Sequence, residues 1–231
     1  MNKQFVRVCF PSRQTIADLG EAMLNDVGAK ENVDYLVQGH QNGSEGSIEL
    51  LGNGTHIKTV VLAVCLQPQI LDVAALDAIN VQAETMFREE TSYGVKDADG
   101  IDRILGAIFN SFGGSEFYPG IIKKVAAYWY KIATTQMFHN GNKRTALLSA
   151  IYFLLYCGFT WKDVDGNELY EITVRVAKGE ISQNDLEILV RRKIGLQYFD
   201  SASEAIEYNG ANFTMRFGID RISHYGLHFL E

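Results

Sequence analysis

The period of the apolar residues changes near Pro68, and that change limits the folds open to this chain. Before Pro68 the apolar and β-branched residues come in short runs, at 33–37, 47–51 and 57–66. Gly-Asn turns such as Gln41-Asn42-Gly43-Ser44 and Gly52-Asn53-Gly54 separate them, as in a sheet of hairpins. Phe5-Val6-Arg7-Val8-Cys9-Phe10 reads as a further strand. Ser12 reads as an N-cap, and 15–27 as a helix with Ile16, Leu19, Met23 and Leu24 on one face. After Pro68 the spacing is helical: 72–88 carries Val73, Leu76, Ile79, Val81 and Met86. The stretch 102–111 carries Ile104, Leu105 and Ile108, and 120–137 carries Ile121, Val125, Tyr128, Trp129 and Ile132. Helices at 142–157, 165–178 and 185–194 follow, the last capped by Ser182 or Asn184 after the break at Gly179. The expected fold is mainly α, a helical bundle with a small α+β module.

The same change divides the chain into an α+β module at 1–68, a helical domain at 69–196 and a tail at 197–231. The tail is rich in aromatic residues, and Phe213-Thr214-Met215-Arg216-Phe217 alternates like a strand that would pair with the N-terminal sheet.

Composition narrows the function. A formal charge of −7 and a pI near 5.3 argue against a broad nucleic-acid surface and leave room for a local basic pocket. Cys9, Cys65 and Cys157 lie in apolar runs without metal-ligand spacing, which reads as reduced core residues of a cytoplasmic protein. The N-terminus lacks the apolar stretch of a signal peptide, and no apolar run reaches the roughly 20 residues that span a bilayer, so no membrane partner is expected.

One stretch carries chemistry: Gln136-Met137-Phe138-His139-Asn140-Gly141-Asn142-Lys143-Arg144. Gly141 and Asn142 supply a tight turn, Lys143 and Arg144 two cations, and Thr145 onward a helix. Backbone N–H groups, helix dipole and side-chain charge therefore converge on one point suited to an anion such as a nucleotide phosphate.

These residues resemble the signature of the Fic/Doc family, which runs His-x-Phe-x-Asp/Asn-Ala/Gly-Asn-Lys/Gly-Arg. Phe138, Asn140, Gly141, Asn142, Lys143 and Arg144 match, and Lys143 favours the Doc (death-on-curing) branch. The resemblance implies a Fic/Doc-like helical bundle and a site for ATP or another nucleotide. In it, Arg144 would bind the outer phosphate, Lys143 would add charge, Asn142 would orient the loop and Phe138 would anchor it. Asn140 would stand where an acid commonly binds Mg²⁺, and Glu116, Phe117 and Tyr118 would belong to a flap that docks an extended target segment. Fic-type members mostly transfer AMP to Tyr, Ser or Thr, whereas the Doc branch transfers the terminal phosphate and acts as a toxin held by an antitoxin. A protein substrate and an antitoxin are the partners implied.

Gln136 is the departure, because it stands where the family has its catalytic His. An amide does not take up a proton near neutral pH, so a general-base contribution of roughly 10²- to 10⁴-fold should be lost, although Gln can still hydrogen-bond a hydroxyl or a phosphate oxygen. Two functions stay open: a Doc-like protein-modifying enzyme with an atypical active site, or a degenerate member that binds a nucleotide or a partner protein.

Other candidates are weaker. His224 and His228 have a zinc-compatible spacing but no further ligands nearby, and Ser203 and Glu207 only partly match the family's inhibitory helix motif. Lys123 and Lys124 read as solvated, and Tyr128 and Trp129 as core.

Overall fold

The computed structural model describes residues 3–87 and 92–208. Strand β1 (Phe5–Val8) leads into helix α1 (Arg13–Asp26), and strands β2 (Tyr35–Asn42), β3 (Glu45–Gly52) and β4 (Thr55–Val64) follow as two hairpins. The sheet order is β1-β4-β3-β2, with β1 parallel to β4 and the other pairs antiparallel. The Ser12 hydroxyl accepts from Thr15 N–H and starts α1, whose Leu19, Ala22 and Met23 are buried.

Helices dominate the rest: α2 (Val73–Phe87), α3 (Ala98–Phe109), then a hairpin of β5 (Ser111–Phe112) and β6 (Ser115–Glu116), then α4 (Gly120–Ala133) and α5 (Asn142–Tyr156). Strand β7 (Phe159–Trp161), α6 (Gly166–Ala177), α7 (Gln183–Lys193), β8 (Ile194–Leu196) and the short α8 (Ala202–Glu207) complete the described chain. Every residue of α5 from Thr145 onward is buried, because α2, α4 and α6 pack around it. This explains a helix that is apolar on all faces. Tyr128 and Trp129 are core residues, and the Trp129 indole donates to the Thr173 hydroxyl at 2.8 Å. One apolar core runs from Val6, Ile48 and Val60 of the sheet through α4 and α5 to Leu186 of α7. The architecture is mainly α with an N-terminal α+β module, as the change of period predicts. Among the described residues no helix is long and apolar enough to cross a membrane.

Three details depart from the expected boundaries. Helix α4 ends at Ala133 rather than Met137, because the Thr134 and Thr135 hydroxyls turn back onto the carbonyls of Tyr130 and Lys131. Helix α3 begins at Ala98, where the Asp97 carboxylate caps Gly100 N–H. Strands β7 and β8 pair antiparallel across α6 and α7, a contact between three-residue segments too short to show a period. At the start of α4, Pro119 provides no side-chain cap, and Asp18 of α1 does so instead, accepting from Ile121 N–H at 2.6 Å and Ile122 N–H at 3.1 Å. Burial raises the Asp18 pKa, and hydrogen bonds from Gln14 and these two amides pull against that shift.

The two ends of the described chain meet. Phe5 and Phe199 exchange backbone hydrogen bonds at 2.9 Å, and α8 packs on β1 and β4. Arg7, fully buried, donates to the α8 carbonyls of Ala205 and Ile206 at 2.9 and 2.7 Å, and to the sulfurs of Cys9 and Cys65, both at 3.2 Å. All three cysteines are free and buried. Gly158, at φ +86°, ends the turn after α5, and a Cβ there would press on Arg7 at 2.8 Å. The stretch 213–217, His224 and His228 lie outside the described residues.

Candidate functional site

The motif loop is built from α2 upward. Asp77, Asn80 and Glu84 lie three and four residues apart and so share one face of the helix. Asp77 Oδ1 accepts from Val95 N–H at 2.8 Å, and Asn80 Oδ1 accepts from Gly94 N–H at 2.7 Å. The segment at 94–97 is thereby held against α2, and it holds the motif in turn. Val95 and Phe138 form an antiparallel bridge, Lys96 N–H donates to Met137 O at 2.8 Å, and His139 N–H donates to Gly94 O at 3.1 Å. Phe138 is 1% exposed, so its ring anchors the loop in the core.

The turn is fastened from two sides. The Asn80 amide donates to Asn140 O at 2.8 Å and to the Thr145 hydroxyl at 2.9 Å. The Asn142 side chain bridges the loop, accepting from Phe138 N–H at 3.0 Å and donating to Phe138 O at 3.0 Å and to Gln136 Oε1 at 3.3 Å. Gly141 takes φ +71° before α5, and a Cβ at that position would collide with the Glu84 carboxylate. The first helical bond runs from Thr145 N–H to Gly141 O, so the N–H groups of Asn142, Lys143 and Arg144 have no acceptor within the helix.

A cavity of about 350 Å³ opens at this helix end. Gln136, His139, Asn140, Gly141, Asn142, Lys143 and Arg144 line one wall, and Tyr170, Val174, Ala177 and Lys178 of α6 line the other. The structure thus brings together at one cavity the residues from Gln136 to Arg144, apart from Met137 and the buried Phe138. Gln136 and His139 are exposed in it, in the non-helical loop that follows the early end of α4.

Arg144 is turned inward, its Nη1 lying 2.7 Å from Glu84 Oε1. The Glu84 side chain is fully buried, and its second oxygen, Oε2, has no hydrogen-bond partner. Ser203 and Glu207 sit on α8 against β1 and β4, while Arg144 takes its carboxylate from α2. Among the described residues no carboxylate pairs with Lys143 or Lys178. Asn140 Oδ1 accepts from Gly141 N–H at 2.8 Å, and the described residues contain no group of three acidic, Cys or His side chains able to hold a metal. One engaged, neutral oxygen is a poor donor set for a resident dication such as Mg²⁺.

Glu116, Phe117 and Tyr118, expected in a flap, belong to the β5–β6 hairpin and the turn after it. Gly113 and Gly114 make its tip, and Phe112 and Phe117 are exposed, at 81% and 59%. Lys124 corrects the expectation of a solvated lysine. It is 1% exposed and donates to Glu116 Oε2 at 2.9 Å and Tyr118 O at 2.7 Å, tying the hairpin to α4. Its aliphatic chain and ammonium are housed by the core next to Phe10 and Phe109.

Sequence reasoning missed Asp77, Asn80 and Glu84, although three polar residues on one stripe of a mainly apolar helix were a visible signal. It also missed the α6 wall, because Tyr170, Val174 and Lys178 become neighbours of the motif only through the packing of α6 on α5.

The family model described as the Fic/DOC family matches residues 70–154. Protein kinase doc of Escherichia phage P1 is 32% identical over 102 residues, covering 44% of this chain and 79% of the phage protein. The family match takes in α2, the motif loop and most of α5, which form and support the motif wall of the cavity, while the α6 wall lies beyond the matched residues. The chain belongs to the Fic/Doc family.

Proposed function

We propose that this protein transfers a group from ATP, in the first instance the terminal phosphoryl group, to a hydroxyl of a target protein. The observation that carries this reading is the cavity at the start of α5, where three backbone N–H groups without helical acceptors and the Lys143 ammonium face open space beside Gln136. Such a helix end suits a phosphate chain. The choice of phosphoryl over AMP transfer leans on the phage relative, whose name is that of a protein kinase.

In this reading the phosphates lie on the N–H groups of Asn142, Lys143 and Arg144. The target segment runs along the β5–β6 hairpin, with Phe112 and Phe117 as apolar contacts and Glu116 and Tyr118 held in place by Lys124. The target oxygen forms a bond to phosphorus, the bond to the leaving ADP breaks, and the hydroxyl proton goes to water or to a phosphate oxygen. Gln136, steadied by Asn142, orients the hydroxyl without taking its proton. Phosphoryl transfer through a loose transition state depends mainly on positioning and charge, which this site retains. A cytoplasmic setting, a protein substrate and an antitoxin partner complete the proposal, and the acidic charge of the chain speaks against nucleic acid as a partner.

A second reading has a specific observation in its favour. Gln136 offers no base, which suits a member that binds a nucleotide or partner without turnover. Incubation with cell lysate and ATP labelled at the α or γ phosphate separates the two. Transfer of γ label supports the kinase and transfer of α label supports AMP transfer, while ATP binding with no transfer leaves the binder. Absence of ATP binding would sink both readings.

A further inference from the structure

The far wall of the cavity has no assigned role, and its chemistry is specific. Tyr170, Val174, Ala177 and Lys178 fall at intervals of four, three and one along α6, so they form one stripe facing the motif loop. Leu169, Thr173 and Val176, on the neighbouring face of the helix, are buried. Lys178 is the C-cap of α6, and its backbone N–H is used within the helix, bonding to Val174 O and Val176 O. Its exposed side chain lines the cavity, and among the described residues no carboxylate pairs with it.

The motif's own cations are unequally available to a ligand. Arg144 is committed to Glu84 at 2.7 Å, and its side chain is 16% exposed. A triphosphate carries three to four negative charges in an otherwise acidic protein, and Lys143 alone balances little of that. Lys178 stands across the cavity from it.

We propose that Lys178 is a phosphate-binding residue, gripping the phosphate chain of a nucleoside triphosphate from the α6 wall while Lys143 and the start of α5 hold it from the motif wall. The proposal rests on the reading of this cavity as a nucleotide site. Lys178 then sets preference by phosphate count, since a second cation rewards each added phosphate charge. A surface lysine that merely neutralises the C-terminal carbonyls of α6 has no such effect on ligands.

Calorimetric titration of the full chain with ATP, AMP and adenosine tests it, using wild type, Lys178→Met and Lys178→Arg. The methionine variant should bind ATP about tenfold more weakly, AMP by a smaller factor and adenosine unchanged, with arginine restoring most of the ATP affinity. Raising the salt concentration should weaken ATP binding more in wild type than in Lys178→Met. Unaltered ATP affinity in Lys178→Met overturns the proposal, as does an equal loss for ATP and adenosine, which would mark a structural role. Wild type that binds no ATP removes the nucleotide reading itself, a result distinct from either.

Discussion

Arg7 and Arg144 are both held by fixed partners inside the protein, yet they are balanced by opposite means. Among the described residues no carboxylate pairs with Arg7. Two sulfurs, two carbonyls at the end of α8 and the Tyr156 ring at 4.8 Å surround it. Burial alone would lower its pKa, but Cys9, Cys65 and Tyr156 outweigh that and raise it. The Cys9 thiol is in turn drawn down, first by a hydrogen bond with Cys157 and also by Arg7, while burial pushes Cys157 up. Arg144 pairs with the buried carboxylate of Glu84 at the edge of an open cavity. The first arrangement spreads one charge over many groups from β1, β4, α5 and α8, so it ties elements together. The second sets a charge pair with Glu84 beside a cavity, where, in the proposed reading, the carboxylate would compete with an entering phosphate. The same residue type ties elements together in one place and lies at the edge of a cavity in the other.

The largest expected effect lies in the cavity beside Arg144. Gln136→His should raise turnover by about 10²- to 10⁴-fold in the labelled-ATP assay, because it supplies a base beside an intact phosphate loop. A variant that folds and binds ATP but stays inert would show that the missing base is not what limits this protein.

Next comes the cohesive site. Arg7→Met should cost about 3 kcal/mol in urea unfolding, since the carbonyls of Ala205 and Ile206 lose their donor in a buried place. Amide exchange in α8 should rise while ATP affinity holds. A fall in ATP affinity as large as the fall in stability would break the contrast between the two arginines.

Glu84→Gln should sharpen that contrast with a smaller effect. The pair loses its charge at a cost of about 1–2 kcal/mol, and ATP should then raise Tm by more than it does in wild type, because phosphate replaces the missing anion. If ATP shifts both proteins equally, Glu84 and the ligand do not share Arg144.

The smallest effect concerns a third buried charge. Asp18 has a folded pKa raised above its ordinary 3.8, so its contribution to stability is full below that value and is lost as pH rises through the folded pKa. Wild type should therefore lose stability relative to Asp18→Asn as pH climbs just above 4, and a gain over that interval would contradict the burial of Asp18.

Much of this was legible in the residues. The β hairpins announced themselves by Gly-Asn turns, and the helices by their apolar spacing, because both signals are local. The loop from Phe138 to Arg144 was legible because its turn, cations and following helix are contiguous. Glu84 and Asn80 were not, since a polar residue on an apolar helix gains meaning only from what packs on it. Lys124 was misread for a related reason: its neighbours Glu116 and Tyr118 are near in sequence, but nothing local says that the ammonium turns inward to meet them.

The sequence by itself determined the two kinds of structure, the family and the glycine turn that starts α5, for each depends on residues within a few positions of one another. Tertiary structure alone decided how the charges around that turn are partnered. Packing of α2 and α6 on either side of α5 gives Arg144 a buried carboxylate and sets Lys178 across the cavity. Electrostatic partners are chosen by distance in space, and the chain brings 84, 144 and 178 together only by folding.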